Sequence, residues 1–387
     1  MRFNETGVTQ YFVGRCAIGV AMVLAAGACI QPANAVQPYQ EYRKLIETAQ
    51  NLTALKDDLF GESVSLYNGQ TEFSVTDVSL PGNNALPVEM RRRFSVEMDL
   101  VGASSFNANL NSMGGWEVDV PHITGMFPGV NGWAANRCSG HMVPQVPTTV
   151  RLTDVWQGNV IHIPGSGNRP MLGAQANTPL PTDGVARKWS TSQLDAIDCI
   201  PMRAGLDGEG FRVKTSAGRA YYFDTATSRY AGVLNKSGGQ GSVTRITRAR
   251  IYLLASKVED ASGNWVQYQY DGNGNPIRIW SSDGREIVLA YDGIRLASVT
   301  AAGRTWTYSY GQVEEQPRLT GVTLPDGSAW TYSYSSALRA WADSPMWDGN
   351  STSDCAEQPP ERYGALTLTA HHPAGATGEF LFGNGRQ

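Results

Sequence analysis

Large aromatic and small polar residues alternate through RTWTYSYGQ (304–312), and the same alternation returns as SAWTYSYSS (328–336). Trp306, Tyr308 and Tyr310, then Trp330, Tyr332 and Tyr334, fall on one side of a period of two, which predicts strands with a single buried face. Alignment on glycine extends the pattern. In SGNWVQYQY, DGREIVLAY, AGRTWTYSY and DGSAWTYSY, Gly263, Gly284, Gly303 and Gly327 each stand seven residues ahead of Tyr270, Tyr291, Tyr310 and Tyr334. The glycines are 21, 19 and 24 residues apart, so turn plus strand is the fixed piece and the connectors absorb insertions. A second short strand precedes three of the turns, at 277–280, 296–300 and 319–324. Each unit therefore predicts a β-hairpin of about 20 residues. Its turn needs glycine because hairpin turns require positive φ at one or both central positions. A lone hairpin is marginal in water, so neighbouring hairpins are expected to cover the aromatic face. SAGRAYYFD (216–224), with Gly218, Tyr221, Tyr222 and Phe223, reads as an incomplete earlier rung.

Upstream the pattern changes twice. Residues 36–62 carry Leu45, Ala49, Leu52 and Leu55 at helical spacing among charges, which predicts a short amphipathic lead-in helix. From 63 to 215 short apolar runs alternate with turn residues. Asn68-Gly69 marks a hairpin, 79–88 (SLPGNNALPV) reads as a turn-rich connector, and VIHIPG (160–165) is one of the apolar runs. The hairpin array then occupies 216–387.

Composition agrees with an all-β fold. The 387 residues include 42 Gly, 20 Pro, 16 Tyr and 10 Trp, with only 17% charged. Net charge is −4 and no basic run exceeds Arg91-Arg92-Arg93, which argues against nucleic acid as the main partner. Residues 1–35 read as a secretory signal peptide: Arg2 and Arg15 lead into the apolar 17–28, and Ala33-Asn34-Ala35 offers a cleavage site. The apolar run is too short to span a bilayer, and no later stretch is apolar enough. The mature chain is thus expected outside the cytoplasm, periplasmic, surface-bound or extracellular, with no stable membrane span. Removing Arg2, Arg15 and Glu5 leaves 29 basic and 34 acidic residues, a charge of −5. Cleavage also leaves Cys138, Cys199 and Cys355, of which one pair can bridge. Cys138 with Cys199 is the expected pair, because both precede the array.

YDGNGNPIRIW (270–280), with Tyr270-Asp271, and Tyr291-Asp292 one unit later, resemble the YD repeat of the rearrangement-hotspot (Rhs) family. Residues 65–94 resemble the segment that opens secreted members, and 371–383 resemble stretches within the repeat shell. Gly311 and Ser335 replace Asp after Tyr310 and Tyr334, so the resemblance rests on the glycine-to-tyrosine spacing. It implies a β-spiral whose hairpins coil into a hollow shell around a variable toxin. Four or five units are too few to close a cavity, and neither a self-cleaving segment nor a toxin is visible. The expectation is the amino-terminal part of a larger shell or a shortened member, whose partners are further YD repeats or a carboxy-terminal toxin encoded downstream.

Candidate chemistry is sparse. Cys138-x-x-His141 lacks the second ligand pair of a zinc site, and Ser139 with His141 lacks the elbow motif of a hydrolase. Asp271-Gly-Asn-Gly-Asn275 departs from a calcium loop at its sixth and twelfth positions and predicts an Asx turn. Gly238-Gly239-Gln240-Gly241 lacks the lysine of a phosphate loop, and His371-His372 reads as solvated surface. No cofactor, metal or enzymatic activity is expected. Trp306 and Trp330 present flat rings with small polar neighbours. They are the candidate contacts of an alternative function, a free-standing envelope or wall module that holds a cell-surface glycan.

Overall fold

A computed structural model of the chain describes residues 59–64, 71–95, 110, 113–129, 131–140, 143–237, 243–314, 316–336 and 366–382. The expected signal peptide, nearly all of the lead-in helix, the Asn68-Gly69 turn, Gly238–Gly241, His141 and Cys355 lie outside these residues. Asp57–Gln387 form one compact unit, so the change of pattern at 215/216 falls inside a continuous sheet.

The regular structure of the described residues is almost entirely antiparallel strand, with one short helix. A four-stranded sheet is built from β1 (Glu62–Val64), β2 (Thr71–Leu80), β3 (Val88–Ser95) and β4 (Glu117–Val118). Next come β5 (His122–Pro128), the single-turn α1 (Leu152–Val155), β6 (Asn159–Ile163), β7 (Gly167–Gly173), β8 (Trp189–Thr191), β9 (Ala196–Pro201) and β10 (Glu209–Lys214). Two long strands follow, β11 (Ala220–Ser237) and β12 (Val243–Glu259). The meander after them comprises β13 (Trp265–Tyr270), β14 (Pro276–Ser281), β15 (Glu286–Asp292), β16 (Arg295–Ala301), β17 (Arg304–Val313), β18 (Gln316–Thr323), β19 (Ala329–Tyr334), β20 (Leu366–His371) and β21 (Thr377–Phe382). Among the described residues no helix is long and apolar enough to cross a membrane.

β12 is the branch point. One edge pairs with β11 along its length, while the other is shared: residues 248–254 pair with β5, and 257–259 pair with β13. The β5 pairing closes the upstream strands into a barrel. The β13 pairing launches the meander, in which each strand bonds to the next.

Six loops among the described residues repeat one hydrogen-bond pattern. In the loop after β14, Ser281 N donates to Arg285 O and Gly284 N to Ser281 O, at 3.0 and 3.1 Å. Gly218, Gly263, Gly274, Gly327 and Gly375 occupy the same place in theirs. These are three-residue hairpin loops, a type I turn closed by a left-handed residue. Gly284 has φ +86°, a conformation that is strained for any residue with a Cβ. The two-residue turn expected from the sequence occurs at Ala302-Gly303, where both φ are positive.

Neighbouring hairpins were expected to cover the aromatic ladder, and here the structure differs. The four-stranded amino-terminal sheet and the flanking Phe60 and Trp116 cover rings of β17, β19 and β21, with Tyr308 of β17 meeting Asp77 and Met90, because a single meander layer leaves one face bare. Phe73 lies 4.8 Å from Phe380, Trp116 5.1 Å from Tyr332, and Phe60 6.4 Å from Trp330. β19 pairs with β20 and β20 with β21, so the sheet extends beyond Tyr334.

Candidate functional site: latched hairpins over buried charges

The repeat tyrosines have a shared role that spacing alone did not reveal. Tyr270 Oη donates to Ala255 O at 2.8 Å, Tyr291 to Pro276 O at 2.9 Å, Tyr310 to Leu296 O at 2.6 Å and Tyr334 to Leu319 O at 3.1 Å. Each hydroxyl thus ties its own strand back to the strand before it. On the far side of three of these tyrosines the register slips, between Gln269 and Tyr270, Ala290 and Tyr291, and Ser309 and Tyr310. The residues paired there with Tyr270, Tyr291 and Tyr310 are Pro276, Leu296 and Leu319, the acceptors of the next tyrosine. A bulge frees a carbonyl from the ladder, and the following tyrosine takes it. The latches therefore form a relay along the meander, and the constant glycine-to-tyrosine offset keeps every hydroxyl in reach.

Asp271, after the first of these tyrosines, closes the next turn. Its carboxylate accepts from Asn273 N, Asn275 N and Asn275 Nδ2 at 2.8, 2.8 and 2.9 Å, an Asx turn as the sequence predicts. Asp292 lies at the β15–β16 turn, opposite Arg295.

Beneath the array, β2 and β3 carry buried ions. Arg92 is wholly buried and contacts Asp77 at 3.2 Å. It donates to Tyr332 Oη at 2.8 Å, while Tyr308 Oη donates to Asp77 at 2.9 Å. The Arg92 guanidinium also lies 5.2 Å from the rings of Trp116 and Trp330, within cation–π range. Burial pushes the Asp77 carboxyl up from its ordinary value, with Arg92 and the Tyr308 hydroxyl pulling it back.

A second cluster joins this sheet to the barrel. Arg93 grips Glu117 through Nε and Nη2 and reaches Glu72 at 3.4 Å and His162 Nδ1 at 3.3 Å. Burial works against the charged form of Arg93, but Glu117, Asp119 and Glu72 outweigh it and raise its pKa. Asp119 meets His162 Nε2 at 2.6 Å. Burial favours its neutral form, yet His162 and Arg93 draw its pKa down to about 2. His122 stacks on His162 with centroids 4.9 Å apart and donates through Nδ1 to Val120 O at 2.9 Å. Burial, then His162 and Arg93, hold the His122 pKa well below normal. Glu72 shifts upward through burial. The adjoining cavity, lined by Asp119, Glu89, Arg219 and Tyr268, is about 40 Å³. That is room for a water or two rather than a substrate.

Turns and connectors also meet over long range. Arg285 donates to Leu80 O and Leu86 O at 3.1 and 3.2 Å, and Asp283 accepts from Asn83 N and Asn84 Nδ2. The connector at 79–88 is thus clasped by the turn around Gly284. No signal in the sequence links these segments, nor does any link Arg92 to Tyr332.

Cys138 and Cys199 are bonded, with Cα atoms 5.5 Å apart. Glu209 stands beside them, but the sulfurs are spent on the bridge, and its carboxylate accepts from Cys138 N, Ser139 N and Ser139 Oγ at 2.7–2.9 Å. Trp306 and Trp330 are only 5% and 7% exposed. They pack inward with the core, which corrects their reading as surface platforms for a sugar. His371 is exposed and bonds Thr377, whereas the ring of His372 meets Trp330 edge-on at 4.5 Å.

No family model matches the chain. Over 132 residues, 33% of its length, the chain is 26% identical to double-stranded DNA deaminase toxin A of Burkholderia cenocepacia (strain H111), and it spans 9% of that protein. Among solved structures, the crystal structure of TcdB2-TccC3-Cdc42 overlaps 67% of this chain and 16% of its own, with a TM-score of 0.34 and 10% identity. The chain is therefore an all-β protein with a distant likeness, over a third of its length, to part of a toxin.

Proposed function

We propose that the chain is an exported, non-enzymatic protein of the Rhs type, whose latched hairpins form the amino-terminal part of a shell that encloses and delivers a toxin between cells. The observation that carries this reading is the tyrosine relay. Each unit presents the carbonyl that the next tyrosine needs, a rule that admits further units without change, as a coiling wall requires. The likeness to part of a toxin supports the same direction. The lining of buried ions and aromatics beneath the array gives one face a fixed inner layer, which suits a wall better than a catalytic cleft.

The test has two arms. The protein is expressed with its native start in a Gram-negative host, and the mature amino terminus is sequenced; a start at Val36 is expected. It is then co-expressed with the polypeptide that its locus encodes downstream, and that polypeptide is exposed to protease with and without the chain. Protection by the chain supports the reading. Retention in the cytoplasm, or equal cleavage in both samples, overturns it.

A further inference from the structure

Residues 225–258 hold six basic residues, Arg229, Lys236, Arg245, Arg248, Arg250 and Lys257, and no Asp or Glu, in a chain whose net charge is −4. Strand register sorts them. Arg248 and Arg250 are two apart on β12 and share a face, and Arg229 on β11 lies directly opposite Arg250. Pro128 and Met126 of β5 pair with Arg248 and Arg250, so the same face continues onto a third strand. Arg245, an odd number of residues away, points to the other face.

The three arginines are half-buried. None makes an ion pair among the described residues, and the Nε atoms of Arg248 and Arg250 are buried with no hydrogen-bond partner. Arg229 donates through Nη1 to Thr227 Oγ1 and Ser228 O and through Nη2 to Asn273 O, all neutral acceptors that leave its charge uncompensated. The carboxylates nearest to it in effect are Asp271, whose oxygens serve its own turn, and Glu117, which belongs to Arg93. Burial lowers the pKa of both Arg229 and Arg248, and Arg250 adds to the effect on Arg248. Clustered, partly desolvated cations with no counter-charge among the described residues are unfavourable on their own and gain most from an incoming anion.

We propose that the face carrying Arg229, Arg248 and Arg250 is a binding surface for an acidic polypeptide segment, which docks its carboxylates on the guanidiniums. Carboxylates at alternate positions of an extended chain match the spacing of Arg248 and Arg250, and the guanidinium fork takes a carboxylate in two parallel bonds. Both Nε atoms are buried, so a flexible acidic side chain suits this face better than the phosphates of a rigid duplex.

The test uses the full chain and a labelled peptide of alternating glutamate and threonine, read by fluorescence anisotropy at low salt. Binding is expected, weakening as salt rises. Arg248→Met and Arg250→Met, which keep much of the stem volume, should each weaken it roughly tenfold, as loss of one charge-assisted contact implies. Arg248→Lys should retain part of the affinity, and Arg245→Met on the opposite face should change it less than about twofold. No binding at low salt, equal weakening by Arg245→Met, or tighter arginine-dependent binding of a DNA duplex of matched charge would each overturn the proposal.

Discussion

The meander from β13 to β19 and the small sheet of β1 to β4 are held by different rules. In the meander, each tyrosine latch joins residues 14 or 15 apart, and each turn glycine serves its own loop. In the small sheet, the decisive partners are Arg92 with Tyr332 and Tyr308 with Asp77, separated by 240 and 231 positions. One region repeats a local device with a modest gain per unit. The other concentrates buried ions that are stable only while every partner is present. Damage to the first should therefore be graded, and damage to the second abrupt.

Arg92→Met offers the hardest strike on that contrast. It leaves the Asp77 carboxylate buried without its cation and should cost about 3–5 kcal/mol in urea unfolding. Asp77→Leu with Arg92→Met should recover most of the loss, because both charges then leave the core together. A double variant as unstable as the single one would show that the aromatic contacts of Arg92 outweigh its pairing.

Acid should separate the regions next. The folded pKa of His122 lies below its ordinary 6.5, so the unfolded chain takes up a proton that the folded one refuses. Stability should fall by about 1.4 kcal/mol per pH unit as pH drops below 6.5, until the folded pKa is reached. Asp119 acts later and in the same direction, its contribution fading as pH falls from 3.8 toward about 2. The raised pKa of Glu72 acts oppositely: it favours the fold below about 4.5 and loses that advantage as pH rises. Hydrogen exchange at pH 5 should loosen β2, β3 and β5 before β14 to β19. His122→Phe should flatten the pH dependence between 6.5 and 5, and an unchanged slope would assign it elsewhere.

The division between what the sequence disclosed and what it hid follows the same line. Gly284 and Tyr291 were legible because a turn conformation and a period of two are local consequences of residue type. The Asx turn at Asp271 was legible for the same reason. The bulges were not, since a register slip depends on two strands at once, and without them the tyrosines looked like packing rather than latches. Trp306 and Trp330 were misplaced because alternation says that one face is buried without saying by what. Arg91-Arg92-Arg93 stood out only as the longest basic run, yet Arg92 and Arg93 are interior ions, since the carboxylates and rings that receive them come from segments far away in the sequence.

Smaller changes probe the repeated device. Gly284→Ala places a Cβ at φ +86° and should cost about 1–2 kcal/mol. Its Asp283 and Arg285 neighbours hold the 79–88 connector, so the loss there should exceed that of Gly263→Ala, whose Cβ likewise meets open space. Equal losses would mean that the clasp adds nothing.

Tyr291→Phe and Tyr310→Phe each remove one hydroxyl and should cost about 1 kcal/mol, the net worth of an ordinary hydrogen bond. Their combination is more telling. Leu296 pairs with Tyr291 and offers its carbonyl to Tyr310, so the two latches share a residue. If they act as a relay, the double variant should depart from the sum of the single losses by about 0.5 kcal/mol or more. Tyr270→Phe with Tyr334→Phe, which share none, should add. Equal additivity in both pairs would reduce the relay to independent ties.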